Sequence, residues 1–294
     1  MSIKNGENYE IVIENKVKSF PNLSQLEEYR SKICQKQSES CKYVLLSLFT
    51  TTKKTDVWRK QSYKDLANAL EAKINVFVTD GYCKNIIEDY IRFIKNLDEI
   101  CKLTKIDEKE VYDYNNSDLY KILEKEIRFG DFYLKAKYAQ ICEKISDILE
   151  DEKIFYKQDF SIKQIMDGKE KIKTLYVNHG FSRADGIIEV KIKTKGFVYL
   201  IQVQGNLYKR GFESYNTRMP PKNISNEVKN WVNFNDISKK GVVFPVDNEK
   251  EYNKYGDSFK YKNIKISETE YIYTKKLIEL IIKDTKQCLE FIDK

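Results

Sequence analysis

Residues 9 to 16, Tyr-Glu-Ile-Val-Ile-Glu-Asn-Lys, set a narrow condition on the fold. Ile11, Val12 and Ile13 are consecutive branched apolar residues, so both faces of a strand here meet packing layers, as at the centre of an α/β sheet. Side chains alternate along a strand, which puts Val12, Glu14 and Lys16 on one face and Ile11, Ile13 and Val17 on the other. Glu14 and Lys16 then stand roughly 6 to 7 Å apart at the end of the element. A carboxylate so placed suits a hard divalent cation, and the neighbouring ammonium suits a phosphate or a water to be oriented. The competing reading is a solvated edge strand in a lysine-rich protein, because Glu-x-Lys alone is a common pattern.

The next segment adds polar groups that can reach the same place. Asn22 is a capping residue for a helix whose first turn contains Gln25. Gln25 and Tyr29 are four residues apart and share a helical face. Each also has an ordinary reading, Gln25 as the partner of Asn22 in a capping box and Tyr29 as half-buried core. An apolar run, Val44 to Phe49, follows, with Thr50, Thr51 and Thr52 after it. The order strand, helix, strand is that of a parallel crossover unit.

Glu14-Asn15-Lys16 at a strand end, followed by Gln25-Leu26-Glu27-Glu28-Tyr29 on the next helix, resembles the PD-(D/E)XK nuclease superfamily, in its bacterial Glu-Asn-Lys and Gln-x-x-x-Tyr branch. The resemblance implies a restriction-endonuclease-like α/β core, a mixed sheet flanked by helices, and Mg²⁺-dependent hydrolysis of DNA phosphodiesters. It implies Glu14 as a metal ligand, the Asn15 carbonyl as another, and Lys16 as the group that stabilises charge or positions the attacking water. Gln25 and Tyr29 match the accessory pair of that branch.

That family also has an acidic ligand, usually Asp, on the strand preceding Glu-x-Lys. Here only Ser2 to Asn8 stand between Met1 and the strand, and Asn5-Gly6 is a hairpin signal. Glu7 falls in the turn and Glu10 lies roughly 13 Å from Glu14 along the strand, so neither replaces the missing acid. Three readings follow: a shortened N-terminus, a degenerate nuclease that only binds, or a site completed from elsewhere in the chain or by a second subunit. Shortening is preferred, because the missing part is contiguous and the rest of the motif is intact. The chain as it stands is then expected to be inactive or nearly so, and the alternative function is a catalytically inactive nucleic-acid-binding or protein-interaction module.

Composition fits a nucleic-acid partner without demanding one. Lys and Arg total 52 against 45 Asp and Glu, a net charge of +7, which favours a polyanion such as DNA. The segment from Lys53-Lys54 to Arg59-Lys60, with Trp58 inside it, reads as a surface for a phosphate backbone. The six cysteines have no paired zinc-type spacing, and His179 has no evident companion ligand. Free thiols, a reducing cytoplasmic setting and no small-molecule cofactor are expected. No apolar stretch approaches the length of a membrane span. A homo-oligomer is compatible with the sequence.

Two domains are expected, a nuclease-like core with a helical extension over 1–155 and an accessory α+β lobe over 156–294. Helices are predicted from Ser62, from Asp80 or Asn85 through Leu97, from Ser117 and from Gly130-Asp131. Strands are predicted at 173–177, 186–192, 197–203 and 241–245, a loop between Gly205 and Gly211, and helices over 228–234 and about 268–292. Asp185, Glu189 and Lys191, with Gln202 on the next strand, superficially repeat the nuclease signature. Their alternation with Ile188, Val190 and Ile192 reads better as the solvated face of a hairpin. Arg183, Lys209 and Arg210, with Tyr208, are candidates to contact a polyanion, although similar clusters arise by chance at this charge density.

Overall fold

The computed structural model describes residues 2–5, 8–16, 23–34, 41–48, 57–78, 80–152, 156–157, 162–167, 170–182, 185–194, 197–214, 226–234, 253–255 and 259–293. The chain is mixed α/β and divides into two compact units, 1–105 and 106–294. The helices at 118–151, which the sequence reading grouped with the first domain, lie in the second unit. Asn22, Arg183 and the strand predicted at 241–245 fall outside the described residues.

The first unit begins with β1 (Ser2–Asn5) and β2 (Asn8–Lys16), paired antiparallel. Asn5 pairs with Asn8, so a two-residue connection joins the strands as a hairpin signal implies, but Asn5 is itself in the ladder and the connection lies one residue later than an Asn5-Gly6 loop. Helix α1 (Leu23–Cys34) crosses to β3 (Lys42–Ser47), which runs parallel to β2, and β4 (Trp58–Ser62) lies parallel to β3. The sheet order is β1-β2-β3-β4. Val12, Tyr43, Leu45 and Trp58 bury one face of this sheet with Leu26 of α1, and Tyr29 and Ile33 complete the cluster.

Helix α2 (Tyr63–Phe77) starts at Ser62, whose hydroxyl accepts from the Asp65 backbone while the Asp65 carboxylate accepts from Ser62 N–H. Asp80 caps α3 (Gly81–Leu103) by accepting from Cys83 N–H at 2.7 Å. Tyr63 and Ala67 of α2 and Ile91 and Ile94 of α3 pack with Leu46 and Leu48. Leu46 points away from Leu45 along β3, so α2 and α3 cover the face opposite α1. This two-sided cover explains why Ile11, Val12 and Ile13 are apolar in succession.

In the second unit Ser117 caps α4 (Asp118–Ile127), and α5 (Gly130–Asp151) follows. An antiparallel sheet follows, built from β5 (Tyr156–Lys157), β6 (Ile162–Asp167), β7 (Glu170–Ser182), β8 (Asp185–Lys193), β9 (Phe197–Gln204) and β10 (Leu207–Ser214). Helix α6 (Asn226–Val232), β11 (Asn253–Tyr255), β12 (Phe259–Lys265) and α7 (Thr274–Asp293) complete it. The order across the sheet is β11-β12-β10-β9-β8-β7-β6-β5. Helices α5 and α7 lie against β7, β8 and β9, where Val177, Ile188, Val190, Ile192, Ile201 and Val203 are buried.

Gly186 is required here, since a Cβ on it would stand 1.5 Å from Cε2 of Tyr138 on α5. Lys137 on α5 is buried and binds both carboxylate oxygens of Glu110 at 2.8 and 2.9 Å. Its ammonium lies 5.0 Å from the Tyr114 ring centroid. Among the described residues no helix is long and apolar enough to cross a membrane. Cys83, Cys101 and Cys142 are free thiols.

The loop expected between Gly205 and Gly211 is instead a two-residue turn and strand β10. Its inward residues are Tyr208, Arg210 and Phe212, all 2% exposed or less, and an inward arginine disguises the alternation. Arg210 donates from Nε and Nη2 to the two carboxylate oxygens of Asp284 on α7, each at 2.6 Å. Its Nη1 donates to the Trp231 carbonyl at 2.8 Å, and the Tyr208 hydroxyl donates to Asp284 Oδ2 at 2.6 Å. Tyr208 and Arg210 are therefore core, and the polyanion role suggested for them is withdrawn.

His179 pairs with Ile188 and shares its helix-covered face. Burial pushes its imidazole down to about 4. A group depressed in the folded state contributes stability above its unfolded value of about 6.5 and loses it as pH falls toward 4. Allowing for the part of the ring that water reaches, about 2 kcal/mol of unfolding free energy should disappear between pH 6.5 and 4. Urea denaturation across that range should show a shallower decline in His179→Gln, and parallel curves would remove His179 as the cause.

Candidate functional site

The parallel β2–β3–β4 arrangement determines what stands beside Glu14. Glu14 pairs with Leu45, which pairs with Lys60, and Lys16 pairs with Ser47, which pairs with Ser62. Directly paired residues share a sheet face. Glu14, Lys16, Ser47, Lys60 and Ser62 thus form the polar end of a face whose other end is the Val12–Tyr43–Leu45–Trp58 core. With strands about 4.8 Å apart, Lys60 stands about 10 Å from Glu14 across the sheet.

Lys16 is nearly enclosed, its side chain 11% exposed against 19% for Glu14. Its ammonium lies 2.8 Å from Glu14 Oε1 and donates to Gln25 Oε1 at 2.7 Å. Gln25 Nε2 then donates to the Tyr29 hydroxyl oxygen at 2.7 Å. The four residues singled out in the sequence form one hydrogen-bonded chain, carboxylate, ammonium, amide and phenol. Helix α1 holds its half because Leu26, 1% exposed, anchors it to the sheet between Gln25 and the Tyr29 turn.

The direction of each hydrogen bond gives the chain a working polarity. An ammonium has three donors; Glu14 and Gln25 take two, leaving the third for a water or a phosphoryl oxygen. The Gln25 amide is oriented by accepting at one end and donating at the other. Since the Tyr29 oxygen accepts from Gln25, its own proton is directed onward. The site therefore presents two donors and one carboxylate from a largely dry wall, where charge interactions are less screened than in water.

Asn15 points to the opposite face, where its side-chain oxygen accepts from the Tyr63 hydroxyl. Burial pushes Tyr63 up to about 12, with Tyr90 adding to the rise and the bond to Asn15 opposing it. The two residues are 48 apart in the chain, so no local spacing announces the pair. Its effect is to fix the strand end that carries Glu14 and Lys16.

Trp58 is 4% exposed and packs at 5.1 Å from Tyr43, which corrects its placing on a phosphate-contacting surface. Arg59 is exposed and points away from Lys60, which keeps only Lys60 on the Glu14 face. Lys53 and Lys54 lie outside the described residues. Among the described residues no three His, Cys, Asp or Glu side chains gather to hold a metal.

No protein-family model, curated protein or solved structure matches the chain.

Proposed function

We propose that the chain is a phosphodiesterase of PD-(D/E)XK type that acts on DNA through Glu14, Lys16, Gln25 and Tyr29, with Mg²⁺ as its metal. What carries this reading is the unbroken chain from Glu14 through Lys16 and Gln25 to Tyr29 at the polar end of one sheet face. A structural ion pair has no need of an oriented amide and a phenol hydrogen-bonded beyond it.

The donor set suits Mg²⁺, which binds through one or two carboxylates and completes its shell with waters and substrate phosphate oxygens. Glu14 and the Asn15 carbonyl would hold it, and it would supply Lewis acidity and a more acidic water. The residues themselves do the remaining work. Lys16 neutralises charge that develops on a nonbridging oxygen and keeps the Glu14 carboxylate turned to the site. Gln25 fixes Lys16, Tyr29 donates to a phosphate oxygen, and Lys60 contacts a neighbouring phosphate and sets the register of the strand. Donors placed in advance where charge develops usually contribute most to such catalysis.

The second reading is a nucleic-acid-binding module without turnover. The observation in its favour is that the described part of the site offers a single carboxylate, which leaves a bound Mg²⁺ only partly neutralised. Nicking of supercoiled plasmid with Mg²⁺ separates the two. The phosphodiesterase reading expects slow cleavage, abolished by EDTA and reduced about 10²-fold in Lys16→Ala. Cleavage that Lys16→Ala leaves unchanged removes the site, and salt-sensitive binding without any cleavage selects the binding module.

A further inference from the structure

Three neighbouring strands of the second unit line up a second polar row, separate from Glu14 and Lys16. Glu189 on β8 stands opposite Gln202 on β9, and Gln202 opposite Lys209 on β10. Lys191 lies 2.9 Å from Glu189 Oε2. Gln202 Nε2 donates to Glu189 Oε1 at 3.1 Å, and Lys209 donates to Gln202 Oε1 at 3.2 Å and also to Gln204. Glu189 and Lys191 stand on the half-solvated face that the alternation predicts, their side chains 15% and 34% exposed, while Lys209 is only 7% exposed. Withdrawing such groups from water is costly unless they are held by partners.

The row ends on an aromatic pair. The Lys209 ammonium lies 5.3 Å from the Tyr261 ring centroid, and Tyr261 stacks on Phe259 with centroids 5.3 Å apart and planes at 20°. Tyr261 pairs with Gly211, which puts the rings on the Lys209 face. Gly211 is what lets them approach the strand, because a Cβ there would come within 2.8 Å of Tyr261 Cβ and 3.2 Å of Phe259 Cε2. Glu213 pairs with Phe259 and lies on this face too, as does Lys193, so Lys191, Lys193 and Lys209 stand against Glu189 and Glu213 and leave one positive charge in excess beside the platform.

We propose that this face binds a segment of single-stranded nucleic acid, with Lys191, whose side chain is 34% exposed, on a phosphate oxygen and the Phe259–Tyr261 pair receiving a neighbouring base. The charge excess selects a polyanion. The stacked rings accept the face of an unpaired base, which a duplex keeps inside its own stack. The Gln202 and Gln204 amides offer both donors and acceptors to base edges or sugar hydroxyls. The assignment stands apart from the hydrolytic reading of the first unit and does not require it.

Fluorescence anisotropy with labelled oligo-dT and oligo-U of about 12 nucleotides, within the usual site size, tests this. The full chain is used in EDTA and in a Lys16→Ala background, so that neither cleavage nor the first unit's lysine contributes. Tyr261→Ala should weaken binding about tenfold while Tyr261→Phe stays within about twofold, because stacking needs the ring and not the hydroxyl. Lys191→Gln should lower the slope of log affinity against log salt by about 0.7, the share of one phosphate on a single strand. Stronger binding of oligo-U than of oligo-dT assigns the face to RNA, and the reverse assigns it to DNA. Affinity unaltered by Tyr261→Ala and Lys191→Gln, equal loss in Tyr261→Phe and Tyr261→Ala, or tighter binding of duplex than of single strand overturns the proposal.

Discussion

A single aspartate added ahead of Met1 is expected to raise Mg²⁺-dependent DNA cleavage roughly 10²- to 10³-fold. Ser2 pairs with Val12 in the β1–β2 hairpin. Extending that antiparallel register outward by two positions brings the added residue opposite Glu14, on the same face. Directly opposed residues have Cβ atoms about 4.5 to 5.5 Å apart, close enough for two carboxylates to share one ion. The second carboxylate supplies the neutralisation that Glu14 alone lacks. Alanine at the added position should leave the rate where it was, and Lys16→Ala in the aspartate-extended chain should cancel the gain. Equal rates with aspartate and alanine would show that the hairpin register does not set the site.

The largest stability loss is expected from Asp284→Ala. Arg210 and Asp284 are both fully buried, with the guanidinium also 4.5 Å from the Phe234 ring centroid. Removing one partner of a buried, hydrogen-bonded pair strands the other charge, at a cost of about 3 to 5 kcal/mol. For a unit of this size that corresponds to a fall of roughly 10 °C or more in its melting temperature. Asp284→Ala also strands the Tyr208 hydroxyl, whereas Tyr208→Phe, which removes one bond and leaves the ion pair, should cost only about 1 to 2 kcal/mol. The double variant Arg210→Met with Asp284→Leu should recover much of the loss, since buried pairs are often replaceable by apolar side chains. Calorimetry of the full chain decides the matter, and a shift below about 2 °C for Asp284→Ala would mean that the pair is not held as described.

How much of this was visible in the amino acids alone depends on the range of the interactions. Glu14 and Lys16 share a face because strands alternate, and Gln25 and Tyr29 share one because helices return every fourth residue; both rules act locally, so the candidate site was readable. The β1–β2 hairpin and the Ser62, Asp80 and Ser117 caps were readable for the same reason. The Asn15–Tyr63 bond and the Glu14–Leu45–Lys60 row depend on which strands become neighbours, which no short window contains. Strands β4 and β10 were missed because Arg59, Lys60 and Arg210 interrupt the apolar pattern, the last while buried against a carboxylate 74 residues away. The 1–155 grouping followed helical periodicity, which shows that α5 has an apolar side without showing that the side meets β7 and β8. The half-solvated face of β8 was readable from its alternation, whereas Lys209 on β10 looks solvated in sequence because burial by the rest of the unit is not written there.

The Arg210–Asp284 contact also fixes an order of events during synthesis. At about 5 to 20 residues per second, the 74 residues between the two partners delay the carboxylate by about 4 to 15 s after the arginine is made. Throughout that interval the guanidinium is without its counter-ion, so native closure of this half waits for α7 to leave the ribosome.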